Sequence, residues 1–178
     1  MNRRRLLKSI SLVSGLTLVS GGGYLFATRS LRHEHLKIEK IIERLSSLDA
    51  DLITSIGQWQ PASILAHCRQ SVEFSMLGYP LHRSELFKSV IGSAAFSTFS
   101  LVGKMKHNLA EPIPGAEVPK VTDTRSALED LIQSLNRFDH YQGKLAPHFA
   151  FGRLSKSEYT LAHVMHINNH FDELVVTE

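Results

Sequence analysis

Beyond residue 30, apolar positions recur at the three-and-four spacing of amphipathic helices along most of the chain. Leu36, Ile38, Ile41, Ile42, Leu45, Leu48, Leu52, Ile53 and Ile56 predict one long first helix. Trp59 to Leu77 reads as a second. Pro61 suits its first turn, where a missing N–H costs nothing, and Gly78 is a natural stop. Ile64, Leu65, Val72, Phe74 and Met76 supply its apolar positions. A third helix spans Ser84 to about Leu109, with Phe87, Val90, Ile91, Ala94, Phe96, Phe99, Leu101 and Val102 expected inward and Gly92 and Gly103 blurring its limits. Three prolines and a glycine make residues 111–120 a loop. Thr124 to Tyr141 is a fourth helix, with Ser126 and Glu129 spaced as a capping box. After a second loop over residues 143–154, Ser155 and Glu158 form a cleaner capping box opening the last helix. No alternating strand pattern of useful length interrupts this series, so the expected fold class is an all-α bundle.

The first thirty residues differ. Arg3, Arg4, Arg5 and Lys8 precede an uncharged, apolar and small-residue run from Ile10 to Ala27. A basic stretch before an apolar one describes an export signal, and paired arginines followed by Leu-Leu-Lys look like the twin-arginine type. A general secretory signal and a membrane anchor are the other readings. The run is near the lower limit for spanning a bilayer, and Gly21, Gly22 and Gly23 weaken its middle. The expected organisation is a signal or anchor over residues 1–30 and a helical domain over 33–178. That domain would be exported, either periplasmic or anchored to the inner membrane facing the periplasm, with the export machinery as one partner.

Charge changes the picture little once this segment is set aside. Of the 20 basic residues in the 178-residue chain, four lie in residues 1–27, leaving 16 against 17 acidic ones, a net of −1. The sequence pI of about 9.1 thus belongs largely to the signal. No basic patch with interleaved aromatics remains to recommend a nucleic-acid partner. Cys68 is the single cysteine, which excludes an intrachain disulfide and fits a buried small apolar side chain.

Candidate chemistry gathers in the last helix, which reads His163-Val-Met-His166-Ile-Asn-Asn-His170. A step of four residues puts His166 and His170 on one helical face about 6 Å apart along the axis, where two imidazoles can grip one divalent ion. His163 is a rival or an outer group on that face. His67, beside the apolar stripe of the second helix, is the best candidate for a third ligand.

At these residues the chain resembles the DinB/YfiT-like superfamily of metal-dependent proteins, and more closely an uncharacterised domain-of-unknown-function branch of it. The resemblance rests on Trp59 leading into Ile64-Leu65-Ala66-His67, and on Glu73 through Pro80. It continues through Pro112-Ile113-Pro114-Gly115-Ala116, His148 through Ser155, and His163 through Phe171, covering roughly residues 35–175. It implies a four-helix bundle of the up-down-down-up type with long loops. It also implies a divalent metal held by one histidine on an early helix and two on a late one, which carry over to His67, His166 and His170. The sequence departs from close relatives at Asn169, where another histidine is expected, and at Asp172-Glu173.

Three imidazoles leave a divalent ion, zinc or nickel on donor type, with an open position, the mark of a catalytic site. Members of the superfamily act as thiol-dependent transferases and isomerases, so the resemblance implies a metal-dependent transferase or hydrolase acting on a small molecule. No general base is evident: Glu73 is expected to face elsewhere, and Asp172 and Glu173 to be solvated. The alternative is a non-catalytic periplasmic or membrane-proximal module whose metal is structural or absent. A homodimer fits either reading. His148 would line the pocket mouth or sit exposed in its loop. Asn168 and Asn169 would orient a ligand or sit on the helix surface. Trp59 and Tyr79 are expected as core or cap residues.

Overall fold

The structure, a computed structural model, describes residues 35–177. The expected signal at residues 1–30 lies outside the described residues. From Leu36 onward the chain forms one compact unit, mostly helical with a small two-stranded sheet.

Helix α1 (Ile38–Ser46) buries Ile38, Ile41 and Leu45 and turns Glu39, Lys40 and Glu43 to solvent. It is far shorter than the continuous pattern to Ile56 predicts. Ser47 Oγ donates to the Arg44 carbonyl, and the Asp49 carboxylate accepts from the Asp51 N–H to cap a short 3₁₀ turn (Ala50–Leu52). Such local side-chain bonds give the backbone an alternative to continuing the helix. The β-branched Ile53 and Thr54 then enter strand β1 (Ile53–Ser55). It pairs antiparallel with β2 (Leu174–Val176), Ile53 opposite Val176 and Ser55 opposite Leu174. The expectation of an all-α fold is corrected to that extent. Strands of three residues are too short to show an alternating pattern.

Helix α2 (Pro61–Leu77) runs as its sequence predicts, with Pro61 in the first turn and Gly78 ending it at φ 107°. Ile64, Leu65, Ala66, His67 and Cys68 are all buried, so this helix is covered on nearly every side at its middle. Arg69 and Glu73 face the fourth helix, where Arg69 pairs with Asp130 and Glu73 with Arg137, each at 2.7 Å.

The third helical segment is the most irregular. One α-helical turn (Glu85–Phe87), capped by Ser84, leads into a π-helical stretch (Lys88–Gly92) and then α3 (Ser93–Val102). Gly103, at φ 74°, stops it seven residues before the expected end. A Cβ on Gly92 would lie 1.8 Å from the Ala150 carbonyl oxygen, so the loop before the last helix approaches here closer than any side chain allows. Phe96 is buried, but Val90, Ile91, Leu101 and Val102 are exposed, which corrects the inward set. Where nearly every position is small or apolar, the pattern does not say which face meets the core.

Helix α4 (Thr124–His140) buries Leu128, Leu131, Leu135 and Phe138. Its cap is Asp123, which accepts from the N–H groups of Arg125 and Ser126, rather than the expected Ser126/Glu129 box. Helix α5 (Lys156–His170) opens on the expected box of Ser155 and Glu158. Helices α1 and α2 each pack against both α4 and α5, while α3 lies outside that set. The shared core includes Leu45, Leu65, Val72, Leu131, Leu135 and Met165. This packing brings the middle of α2 to the end of α5. No helix among the described residues is long and apolar enough to cross a membrane.

Candidate metal centre

His67 comes from the middle of α2, and His166 and His170 from successive turns of α5. Their ring centroids are 5.2 Å apart for His67–His166, 5.0 Å for His67–His170 and 4.9 Å for His166–His170. A fourth imidazole joins them. His107, in the irregular segment after α3, lies 5.0 Å from the His166 ring and 5.2 Å from that of His170. One nitrogen from each of the four lies within 4.8 Å of the others. Tetrahedral bonds near 2.1 Å need separations of roughly 3.4 Å, so closure asks for at most roughly 1.4 Å. Rotation about the broad χ2 torsion of histidine covers that.

The polar accounting singles out this cluster. His67 and His170 are almost wholly buried. Both ring nitrogens of each, together with Nδ1 of His166, have no hydrogen-bond partner among the described residues. Buried polar atoms are nearly always paired, so five unpaired imidazole nitrogens in one place call for another explanation. Burial also holds the rings neutral. It lowers His67 to about 4 and His170 to about 3, with nearby histidines adding to both shifts. His166 is held well below its usual value by burial and then by His170. His107 is lowered by burial, against the opposing effect of Asn169. Neutral imidazole is the ligating form, so the donor set fits a divalent ion.

The groups behind the ring nitrogens are ordered too. The Asn169 side-chain oxygen accepts from the His107 backbone N–H at 3.2 Å and lies 2.9 Å from His107 Nδ1. An atom that accepts from a backbone N–H is the amide oxygen, so Nδ1 must carry the proton and Nε2 keeps its lone pair. Glu173 Oε2 sits 3.5 Å from His170 Nδ1, and burial raises the pKa of this carboxyl. Trp59 meets the His67 ring edge-on at 5.1 Å and stacks on His170 at 6.3 Å, so it covers the site rather than only capping a helix. Asn168 faces outward and accepts from Arg44 at 3.0 Å.

His163 belongs elsewhere. Ser75 Oγ donates to the Val72 carbonyl, so its contact with His163 Nε2 at 3.1 Å is one it accepts. Phe138 and Tyr159 pack on the His163 ring. His148 is buried rather than exposed. Its Nδ1 accepts the N–H groups of Ala150 and Phe151, which leaves its proton on Nε2, and burial lowers it to about 3. Tyr79 is a core residue whose hydroxyl donates to the Ser71 carbonyl. Cys68 is buried and its thiol pKa is pushed up by desolvation, which leaves it inert.

A cavity of about 250 Å³ adjoins three of the four clustered histidines. His67, His107 and His166 form part of its wall, and His148 and His163 line it as well. Phe99, Met105, Ile113 and Phe151 make much of the remainder apolar, and the exposed Arg83 and Glu111, 3.9 Å apart, belong to its rim. Glu111 is the one carboxylate among the described residues lining it.

A model of the family described as "Protein of unknown function (DUF1569)" matches residues 26–177. The chain belongs to the DUF1569 family. Compared with curated proteins and with solved structures, it matches none. In this DUF1569 member the sequence pointed to His67, His166 and His170, which the structure brings together, and missed His107. The spacing placed His107 near the end of an over-long third helix, where a single histidine between Lys106 and Asn108 carries no periodic signal. The one hint was Asn169, the departure from the expected histidine, which turns out to hold His107.

Proposed function

We propose that this DUF1569 member is an exported, metal-dependent transferase or hydrolase of a small molecule, with zinc or nickel on His67, His166 and His170. The observation that carries the reading is the set of five buried, unpaired imidazole nitrogens beside a cavity. The resemblance to the DinB/YfiT-like superfamily supports it through the same three positions. The packing of α1, α2, α4 and α5 is compatible with a DinB-like, up-down-down-up four-helix bundle. A bound divalent ion would supply Lewis acidity or an activated water. The chain's own residues would orient the ring nitrogens through Glu173 and Asn169, and Phe99, Met105, Ile113 and Phe151 give the adjoining cavity an apolar side. His163 and His148 line the cavity as neutral imidazoles already bonded to Ser75 and to loop N–H groups, so neither is assigned a proton-transfer role. Exposed apolar residues on and before α3 support a second copy of the chain as partner.

One observation favours a second reading, a non-catalytic module. Four imidazoles saturate a tetrahedral ion, and closed sites are structural. Turnover separates the two. The purified, metal-loaded full chain is offered thiol acceptors and ester or amide substrates. Metal-dependent turnover lost in His166→Ala supports the enzyme, whereas a tightly bound metal with no turnover across the panel supports the module.

A further inference from the structure

The four histidines are not equivalent, and the difference indicates how one centre can be closed at rest and still admit a ligand. His67, His166 and His170 are fixed on α2 and α5, and letting go of His67 or His170 returns a buried nitrogen with no other partner. Such a nitrogen carries the full desolvation cost of an unmade bond. His107 sits on the irregular segment between Gly103 and Asp123, is only half-buried and lines the cavity. Asn169 already satisfies its Nδ1 and backbone N–H, and its Nε2 is not among the buried unpaired nitrogens. Releasing His107 therefore costs less than releasing His67 or His170.

Resting on the metal reading above, we propose that His107 is an exchangeable fourth ligand. It closes the centre in the resting protein and gives up its place to a small organic anion with an apolar body that enters through the cavity. Charge favours an anion, because four neutral imidazoles cancel none of a dication's charge. Arg83 and Lys106 also outnumber Glu111 in the cavity lining. Phe99, Met105 and Phe151 favour an apolar body, and about 250 Å³ is near the lower end of ligand pockets, so the ligand is compact. Asn169 is a positioning residue that keeps Nε2 of His107 turned to the centre.

The test uses the full chain loaded with cobalt(II), whose visible spectrum reports coordination, titrated with benzoate, acetate and azide. In the wild type, benzoate is expected to change the spectrum at lower concentration than acetate or azide. His107→Ala is expected to keep its cobalt, to show an altered resting spectrum, and to bind benzoate about tenfold or more tightly, because no internal competitor must leave. Asn169→Ala, which keeps the imidazole, is expected to shift benzoate affinity in the same direction by less. Cobalt bound with the resting spectrum and benzoate affinity unchanged in both variants would overturn the exchange and leave the metal reading standing. No cobalt bound by the wild type would overturn both.

Discussion

Glu173 Oε2 lies 3.5 Å from His170 Nδ1, and neither atom has a hydrogen-bond partner among the described residues. A small rotation turns this contact into a bond that places the ring proton on Nδ1 and presents Nε2 to a metal, the usual role of a carboxylate behind a ligating histidine. Glu173→Ala is expected to lower metal affinity about 10–100-fold, read by competition with a coloured chelator. Gly57 gives an independent handle. A Cβ there would sit 2.3 Å from Glu173 Oε1, so Gly57→Ala must push the flexible carboxylate aside. The same weakening is expected with little change in Tm. Wild-type affinity in both variants would detach Glu173 from the centre.

His163 and His170 share a helix but separate in function. His170→Ala is expected to empty the centre. His163→Ala is expected to leave metal content unchanged and to cost about 2–4 kcal/mol of stability, because it opens a void between Phe138 and Tyr159 and removes the bond that Ser75 accepts. His82→Ala, at an exposed loop position, should change neither quantity. Metal analysis after dialysis, together with urea denaturation, compares all three. An emptied centre in His163→Ala with a full one in His170→Ala would shift the ligand pair by one turn.

Acid should destabilise the metal-free chain well above the pH of general acid unfolding. Burial lowers His148 and His163 from 6.5 to about 3, so both stay neutral in the folded chain while the unfolded chain takes up protons near 6.5. The unfolded state binds more protons over that window, so stability is full above about pH 6.5 and falls progressively toward pH 3. At pH 5 the loss is on the order of 2 kcal/mol per group relative to pH 7.5. Urea midpoints at the two pH values measure it. Equal midpoints would mean that neither ring is held neutral.

Export is tested at the other end of the chain. Replacing Arg3 and Arg4 by lysine is expected to block transport of the full chain if the twin-arginine route carries it, read by fractionation. Undiminished export of that variant would assign the general secretory route, and retention of the wild type in the cytoplasm would remove the export reading.

How much of this was legible in the sequence depended on the range of the signal. Pro61, Gly78 and the Ser155/Glu158 box act within a few residues of themselves, and they mark the limits of α2 and the start of α5 as observed. The i, i+4 step of His166 and His170 is likewise local. The break after Ser46 was weaker, because the apolar spacing runs on through Leu48, Leu52 and Ile53 while short side-chain bonds at Ser47 and Asp49 decide the backbone. His107 was invisible because its place depends on Gly103 ending α3 and on Asn169 reaching it across 62 residues. Burial of His148 depends on backbone N–H groups of its own loop, which no periodicity encodes.

Metal stoichiometry tests the metal centre most directly. The full chain, stripped with chelator and dialysed against zinc and, separately, nickel, is analysed beside its His67→Ala, His166→Ala and His170→Ala variants. About one ion per wild-type chain, lost in each variant while helical content is retained, is the expected result. No stoichiometric ion in the wild type, or an ion that survives all three substitutions, would contradict a metal centre at these histidines.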